Sequence, residues 1–455
     1  MPPKFGTSGL RGLVVDLTPD LVADHVRAFV AACETGTGLF VGRDLRDSSP
    51  AIAAMVMEAA RAEGLAVTDC GAVPTPALAL ASMGAGAAAV MITGSHIPAD
   101  RNGLKFYLPG GEIGKADEAA ILAHLGRASA GKAGTLAVNT AAGADYVARY
   151  VSAYGAALAG LTIGVYSHSA VGRDLLLAVV AGLGATPVEL GRSEVFIPVD
   201  TEAVDPGVAA QLRDWAAKQH LDAIVSTDGD GDRPLLTDGA GRVIPGDILG
   251  QITGTALGAD VAVTPVSSNT GAEQVFGRVI RTRIGSPHVI AGMEQAGGRV
   301  VGYEANGGFL LGFDAEGPTG KLSALATRDA VLPWVAPLAA ARAAGGLAAL
   351  VADQPARFTA ADRLQGVPTE ASLALVEKLG SELQDRAAFL DDLDGAEQAI
   401  DRTDGLRMTL MDGRIVHLRP SGNAPELRLY VESDSADAAA MTLDRGLALL
   451  RRTLG

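Results

Sequence analysis

The chain is short of cysteine, of charge and of long apolar runs. Its 455 residues hold two cysteines, and only 20% are charged. Cys33 and Cys70 lie in apolar stretches without metal-ligand spacing, which excludes a disulfide framework and a zinc site and predicts two buried free thiols in a reducing compartment. No apolar run approaches a membrane span, and Met1–Gly6 lacks the apolar segment of a signal peptide. The expectation is a soluble cytoplasmic protein. Positive charge is also scarce. A net charge of −15 argues against nucleic acid or an anionic membrane as the main partner. An anionic ligand would need a locally basic pocket.

A hydrophobic content of 48%, with 57 glycines, fits a compact fold rather than a disordered chain. The length suggests three or four domains. A loose repeat supports this. Gly38–Asp44, Leu161–Ser167 and Asp260–Val266 read as buried apolar strands. Helical stretches follow at Pro50–Gly64, Gly172–Gly184 and Gly271–Ile280, then further strands at Leu65–Thr68, Thr186–Leu190 and Arg281–Gly285. Continuous apolar strands alternating with helices predict parallel or mixed sheets covered on both faces. Three similar mixed α/β domains are the economical reading. The last hundred residues differ. Thr369 is a plausible helix cap, Gly405–Met411 and Arg414–Leu418 read as a hairpin turning at Asp412-Gly413, Glu426–Val431 as a strand, and Ala436–Leu454 as a closing helix. The expected division is 1–137, 138–245 and 246–355 for α/β domains, and 356–455 for a smaller α+β domain.

Asp228-Gly-Asp-Gly-Asp-Arg233 carries the most chemical information. Two glycines let a short loop bend, so that Asp228, Asp230 and Asp232 aim hard oxygen ligands at one point. An EF-hand loop is excluded, because its sixth and twelfth positions would be Arg233 and Gly239. Flanking apolar residues argue against a merely solvated turn. Three such carboxylates suit Mg²⁺ or Ca²⁺, and open coordination positions suit a phosphorylated partner.

Ser95, in Thr93-Gly-Ser-His-Ile-Pro98, follows an apolar run and could be a nucleophile or phosphate carrier, or belong to an ordinary turn. The lipase elbow is not met, since Ile97 and Pro98 follow His96. Lys105 could return to Ser95 as an acid or base, or lie at the surface. The small-residue loop Phe5–Gly12 presents Arg11, whose fork suits phosphate. Glu304 and Asn306, in the glycine-rich stretch Gly302–Gly308, could meet sugar hydroxyls or form a polar turn. Arg419–Pro425, with Arg419, Ser421, Gly422 and Asn423, could form an anion nest or a long hairpin loop.

As a set, F-G-T-S-G-L-R-G at 5–12, T-G-S-H-I-P at 93–98, D-G-D-G-D-R at 228–233 and R-P-S-G-N-A-P at 419–425 resemble the α-D-phosphohexomutase family over the full length, most closely bacterial phosphomannomutase/phosphoglucomutase members. The resemblance implies four domains around a central cleft. It makes Ser95 a phosphoserine that, with Asp228, Asp230 and Asp232, holds one Mg²⁺. It implies interconversion of hexose 6- and 1-phosphates through a hexose 1,6-bisphosphate that also serves as activator. Arg11, His96 and Lys105 would serve catalysis, with Lys105 or His96 as proton shuttle and Lys105 favoured. Arg233, Glu304, Asn306, Arg419, Ser421, Gly422 and Asn423 would bind the phosphosugar. A monomer or homodimer is expected. Asn306 stands where the family often has Ser, Ile97 where it has Asn, and Ala424 where it has Thr or Glu, which leaves sugar preference open. A phosphoglucosamine mutase is the alternative, although that branch usually has Asp where Ser8 stands. A non-catalytic Mg²⁺-dependent phosphosugar-binding protein is another.

Overall fold

A computed structural model describes residues 3–6, 9–421 and 425–454. The chain forms two compact units, residues 1–262 with 285–353, and residues 263–284 with 354–455.

The first unit is built on mixed sheets. In its N-terminal sheet, Ala88–Ile92, Leu39–Arg43, Val67–Ala72 and Leu136–Val138 run parallel. Arg101–Leu108 joins Ala88–Ile92 antiparallel, and Leu10–Leu13 joins Arg101–Leu108 in the same sense. Every residue of Ala88–Ile92 is fully buried, as a strand covered on both faces requires. The registers Met91↔Lys105 and Gly103↔Arg11 bring two cations to neighbouring strands. Arg11 therefore lies on a strand, not in the expected loop, because Leu10 and Leu104 pair and bury their side chains beside it.

Thr186–Leu190, Thr162–Tyr166 and Ala223–Thr227 form a parallel set, closed by the antiparallel strand Pro234–Thr237. Pairing of Thr227 with Pro234 ties off residues 228–233 as a loop between two fully buried strands. Further along, Val300–Tyr303, Phe309–Leu311 and Leu325–Asp329 run antiparallel in turn. Helix Gly246–Ala256 lies against them, and a Cβ on Gly250 would stand 2.3 Å from the Tyr303 ring.

The second unit carries a fully antiparallel sheet in the order Phe358–Gln365, Glu426–Ser433, Ile415–Pro420, Leu406–Leu410, Glu397–Asp401. The closing helix spans Ala436–Leu454, as expected, and Gly413 turns the hairpin with φ +83°. Segment 263–284 is held to this sheet by Glu432, which accepts from Thr270 N at 3.1 Å, from Thr270 Oγ1 and from Arg357 Nε.

Several sequence expectations change. The helix expected over Gly271–Ile280 is only Ala272–Val275, and Arg278–Thr282 is strand, as its Val-Ile pair favours. Pro368, not Thr369, occupies the cap of helix Thr369–Ser381, and no side chain caps it. Cys33 is half-buried, while Cys70 is buried; both are free.

One buried cluster ties helix Ala142–Tyr154 to strand Leu325–Asp329. Tyr146 Oη donates to Asp329 Oδ1 at 2.6 Å and Tyr150 Oη donates to Oδ2, with the tyrosine rings edge to face. Removing the shared acceptor strands two buried hydroxyls. Asp329→Ala is expected to cost about 3 kcal/mol, read as a lowered midpoint in urea unfolding; an unchanged midpoint would show that the cluster contributes nothing.

Candidate active site

The 93–98 loop leaves the carboxyl end of Ala88–Ile92, and the 228–233 loop leaves that of Ala223–Thr227, the usual place for ligands in α/β sheets. Both are in the first unit, and they meet. Ser95 Oγ donates to Asp228 Oδ2 at 2.6 Å. A Cβ on Gly229 would stand 2.8 Å from the Ser95 carbonyl oxygen, so this contact requires glycine.

Ser95 has φ +53°, in the left-handed region that costs a serine energy. Surrounding bonds hold it there. Its amide donates to Thr93 Oγ1 at 2.7 Å. Arg46, which sequence reading missed, lies beneath the loop. Its Nη1 donates to the carbonyls of Pro98 (2.7 Å) and Arg101 (2.9 Å), and its Nη2 to those of Ser95 (2.9 Å) and Ile97 (2.6 Å). Asp44 accepts from Arg46 Nε at 3.2 Å. A Cβ on Gly94 would fall 2.4 Å from the guanidinium carbon, so Gly94 exists to let Arg46 in. The available signal was an Asp-x-Arg placed just past an apolar parallel strand.

Ligand oxygens of Asp228, Asp230 and Asp232 all lie within 4.8 Å of one another, and all three residues are buried. Such a group holds together only with cations around it. Lys105 Nζ donates to Asp230 Oδ2 and Asp232 Oδ2, each at 2.6 Å. It is 1% exposed, which removes the surface-lysine reading. Arg328, also missed, reaches Asp232 Oδ2 at 2.8 Å with Nη2 and Glu304 Oε2 at 3.4 Å with Nη1. Its signal was weak, a lone Arg-Asp at a strand end. Arg11 Nη1 donates to the Thr93 carbonyl. Arg233 Nη1 donates to His96 Nδ1 at 2.9 Å, and its Nε stands 3.8 Å from Asp232 Oδ1.

These environments separate the carboxylates. Burial, then Asp230 and Asp232, push Asp228 well above the ordinary range. Burial also opposes ionisation of Asp230, but Lys105, Thr75 and Arg11 outweigh it and hold that carboxyl low. Asp232 is likewise lowered; burial opposes this, and Arg328 and Lys105 prevail. His96 is pushed down to about 4 by burial and then by Arg233, so it is neutral at pH 7. Its Nδ1 lies 3.3 Å from Ser95 Oγ.

The donor set suits a hard divalent cation. Among the described residues Asp230 Oδ1 and Asp232 Oδ1 are buried and make no hydrogen bond, while their Oδ2 atoms are taken by Lys105 and Arg328. Buried acceptors without partners are costly, and two of them at an all-oxygen cluster fit Mg²⁺.

Glu304 and Asn306 lie in the turn between Val300–Tyr303 and Phe309–Leu311, both buried. Asn306 Oδ1 accepts from Gly308 N at 3.0 Å, so its oxygen closes its own turn. In the second unit, Arg419 lies at the end of Ile415–Pro420, with Nε on Asp404 Oδ2 at 2.9 Å, and Ser421 is buried. Gly422 and Asn423 fall outside the described residues.

The family description "Phosphoglucomutase/phosphomannomutase, alpha/beta/alpha domain I" matches residues 2–132, "alpha/beta/alpha domain III" residues 246–358, and "C-terminal domain" residues 370–448. A phosphomannomutase of Sinorhizobium fredii is 47% identical over all of both chains. One from Salmonella muenchen is 42% identical over 99% of this chain and 96% of its own. A crystal structure of a phosphoglucomutase/phosphomannomutase family protein from Burkholderia thailandensis superposes with a TM-score of 0.78 at 23% identity, covering 98% of this chain and 97% of that one. The chain belongs to the phosphoglucomutase/phosphomannomutase family, the α-D-phosphohexomutases, whose members are isomerase-type phosphotransferases.

His168 offers a pH test. Buried beside the acidic loop, it donates from Nε2 to the Thr227 carbonyl at 2.9 Å, and burial pushes it down to about 4. Its folded value lies below the ordinary one near 6.5, so the unfolded chain takes the proton first. Stability from keeping it neutral is complete above about pH 6.5 and is lost as pH falls toward 4, up to about 3 kcal/mol. The melting temperature of His168→Gln should therefore fall less steeply than that of the parent between about pH 6.5 and 4.5. Asp228 acts with the opposite sign, and taking the difference between the two proteins removes it. Parallel curves would refute the assignment.

Proposed function

We propose that the protein is a phosphomannomutase/phosphoglucomutase, interconverting hexose 6-phosphate and hexose 1-phosphate with Ser95 as the phosphoryl carrier. The observation that carries this is the 2.6 Å hydrogen bond from Ser95 Oγ to the first carboxylate of a buried three-Asp cluster. A hydroxyl fixed there, in a strained backbone, is held for chemistry rather than for packing.

Phosphoryl transfer depends on positioning and on neutralising the transferred oxygens. One Mg²⁺, held by Asp228, Asp230, Asp232 and a phosphate oxygen on Ser95, would supply positive charge there. The remaining roles belong to the chain. A phosphoserine dianion would add two negative charges beside Asp228, Asp230 and Asp232, which a divalent cation would offset. In the proposed step the phosphorus–Oγ bond breaks, a phosphorus–oxygen bond forms to the sugar hydroxyl, and the hydroxyl's proton passes to Oγ. We assign this relay to Lys105, which gives a proton to Oγ and takes the hydroxyl's proton in its place. Neutral His96, whose Nδ1 is occupied by Arg233, helps to hold the loop. The product is a hexose 1,6-bisphosphate. Reversal from its other phosphate regenerates phosphoserine, and added bisphosphate would activate unphosphorylated enzyme. Glu304 and Asn306 are assigned to sugar hydroxyls, with Asn306 using Nδ2. Arg419, Ser421, Gly422 and Asn423 are assigned to the non-reacting phosphate. The four-domain division at 137, 245 and 355, a cytoplasmic setting and a monomeric or dimeric state belong to the same proposal. The relatives named phosphomannomutase favour mannose phosphates over glucosamine phosphate. Among the described residues no helix is long and apolar enough to cross a membrane.

Mannose 1-phosphate with Mg²⁺ and a trace of 1,6-bisphosphate should yield mannose 6-phosphate. No turnover of mannose, glucose or glucosamine phosphates would end the proposal. Intact mass should show an added ~80 Da, the mass of one phosphoryl group, that Ser95→Ala lacks. Ser95→Ala should lose at least about a thousandfold in kcat; full turnover would remove Ser95 from its role. Asp230→Asn should lower Mg²⁺ affinity and rate more than thermal stability, and the opposite pattern would contradict the metal assignment.

A further inference from the structure

We propose that Asp404 is the positioning residue for Arg419, setting its guanidinium fork before a phosphate arrives. The inference rests on the anion-binding role given to Arg419 above. Asp404 lies in the turn between strands Glu397–Asp401 and Leu406–Leu410, beside strand Ile415–Pro420, which carries Arg419 near its end. Its Oδ2 accepts from Arg419 Nε at 2.9 Å and from the backbone amide of Ile284 at 3.0 Å. The backbone of Asp404 is anchored as well. His417 Nε2 donates to the Asp404 carbonyl at 2.6 Å. Gly405 follows with φ +82°, and a Cβ there would stand 2.2 Å from the Leu418 carbonyl oxygen, so the turn is pinned against the arginine's own strand.

The consequence concerns the free end of Arg419. An unrestrained arginine gives up rotamer freedom when its fork is immobilised. With Nε held by Asp404, much of that loss precedes ligand binding, and among the described residues Nη1 and Nη2 make no hydrogen bond. Two parallel N–H donors are what a phosphate takes best. Asp404 also places a negative charge near an anion site, which works against binding. The side chains of Arg419 and Asp404 are 17% and 9% exposed, so solvent screens that repulsion only in part. Positioning and repulsion therefore oppose each other, and truncation shows which is larger. Asp404 further ties the 263–284 segment to the arginine, since the same oxygen holds Ile284.

The test is steady-state kinetics of the full-length Mg²⁺-loaded protein with mannose 1-phosphate and with mannose 6-phosphate. Asp404→Ala is expected to raise KM about tenfold for both, as losing a charge-assisted hydrogen bond predicts, with kcat changed less than about twofold. Asp404→Asn keeps an acceptor oxygen and removes the charge, so its KM should stay at or below the parent's. In an Arg419→Ala background, Asp404→Ala should have no further effect on KM. An unchanged or lowered KM in Asp404→Ala overturns the inference, as does a loss confined to kcat and melting temperature, which is what a merely structural turn would give. If Asp404→Ala does not fold, Asp404→Ser, too short to reach Arg419 but compatible with the turn, replaces it under the same criteria. Failure of the functional proposal would look different, since the unaltered protein would turn over no hexose phosphate. Calorimetry with inorganic phosphate would then decide, tenfold weaker binding in Asp404→Ala supporting the positioning role and equal binding refuting it.

Discussion

Three buried carboxylates stand within a few ångströms of one another, and the first unit is arranged so that they can. Left alone, Asp228, Asp230 and Asp232 would drive each other to protonation or force the loop open. Lys105 prevents this by donating to two of them at once, and it reaches them from a strand of a different sheet. Removing one partner of a buried pair typically costs about 3–5 kcal/mol, a large part of a domain's stability. The pairing of Met91 with Lys105, the course of the serine loop and the seating of the acidic loop are therefore one problem with one solution.

The serine loop shows how a scaffold holds an unfavourable local conformation. Ser95 sits at positive φ, and Arg46 compensates by collecting four carbonyl groups that would otherwise point into the interior unpaired. Gly94 and Gly229 remove the side chains that would block that arginine and the acidic loop. Strain at Ser95 and order around it are two sides of the same construction. A hydroxyl held this way would lose little orientation entropy in the phosphoryl exchange proposed for it.

Much of this was legible in the chain itself. The apolar strands at 39–43, 162–166 and 261–265 announced themselves because strands covered on both faces need no polar alternation. The acidic loop was legible because alternating Asp and Gly have few other uses. The short helix Ala272–Val275 was not, since small and polar residues in that stretch carry no helical period. Thr369 was misread as a cap because a preceding proline competes for the same position, and propensity does not rank the two. Arg11 was misread as a loop residue because its strand is only four residues long.

The sequence alone determined the identity of the proposed reactive groups, a serine after a buried strand and three carboxylates in a glycine-bent loop, since these are properties of residue type and near-neighbour spacing. Tertiary structure decided their neighbours. Arg46, Arg328 and Asp404 stand far along the chain from most of the groups they serve or among residues without a pattern, and their partners are set by sheet order and register. Neutralisation of buried charge acts through space at a few ångströms and takes no account of chain separation, which is why composition could not disclose it.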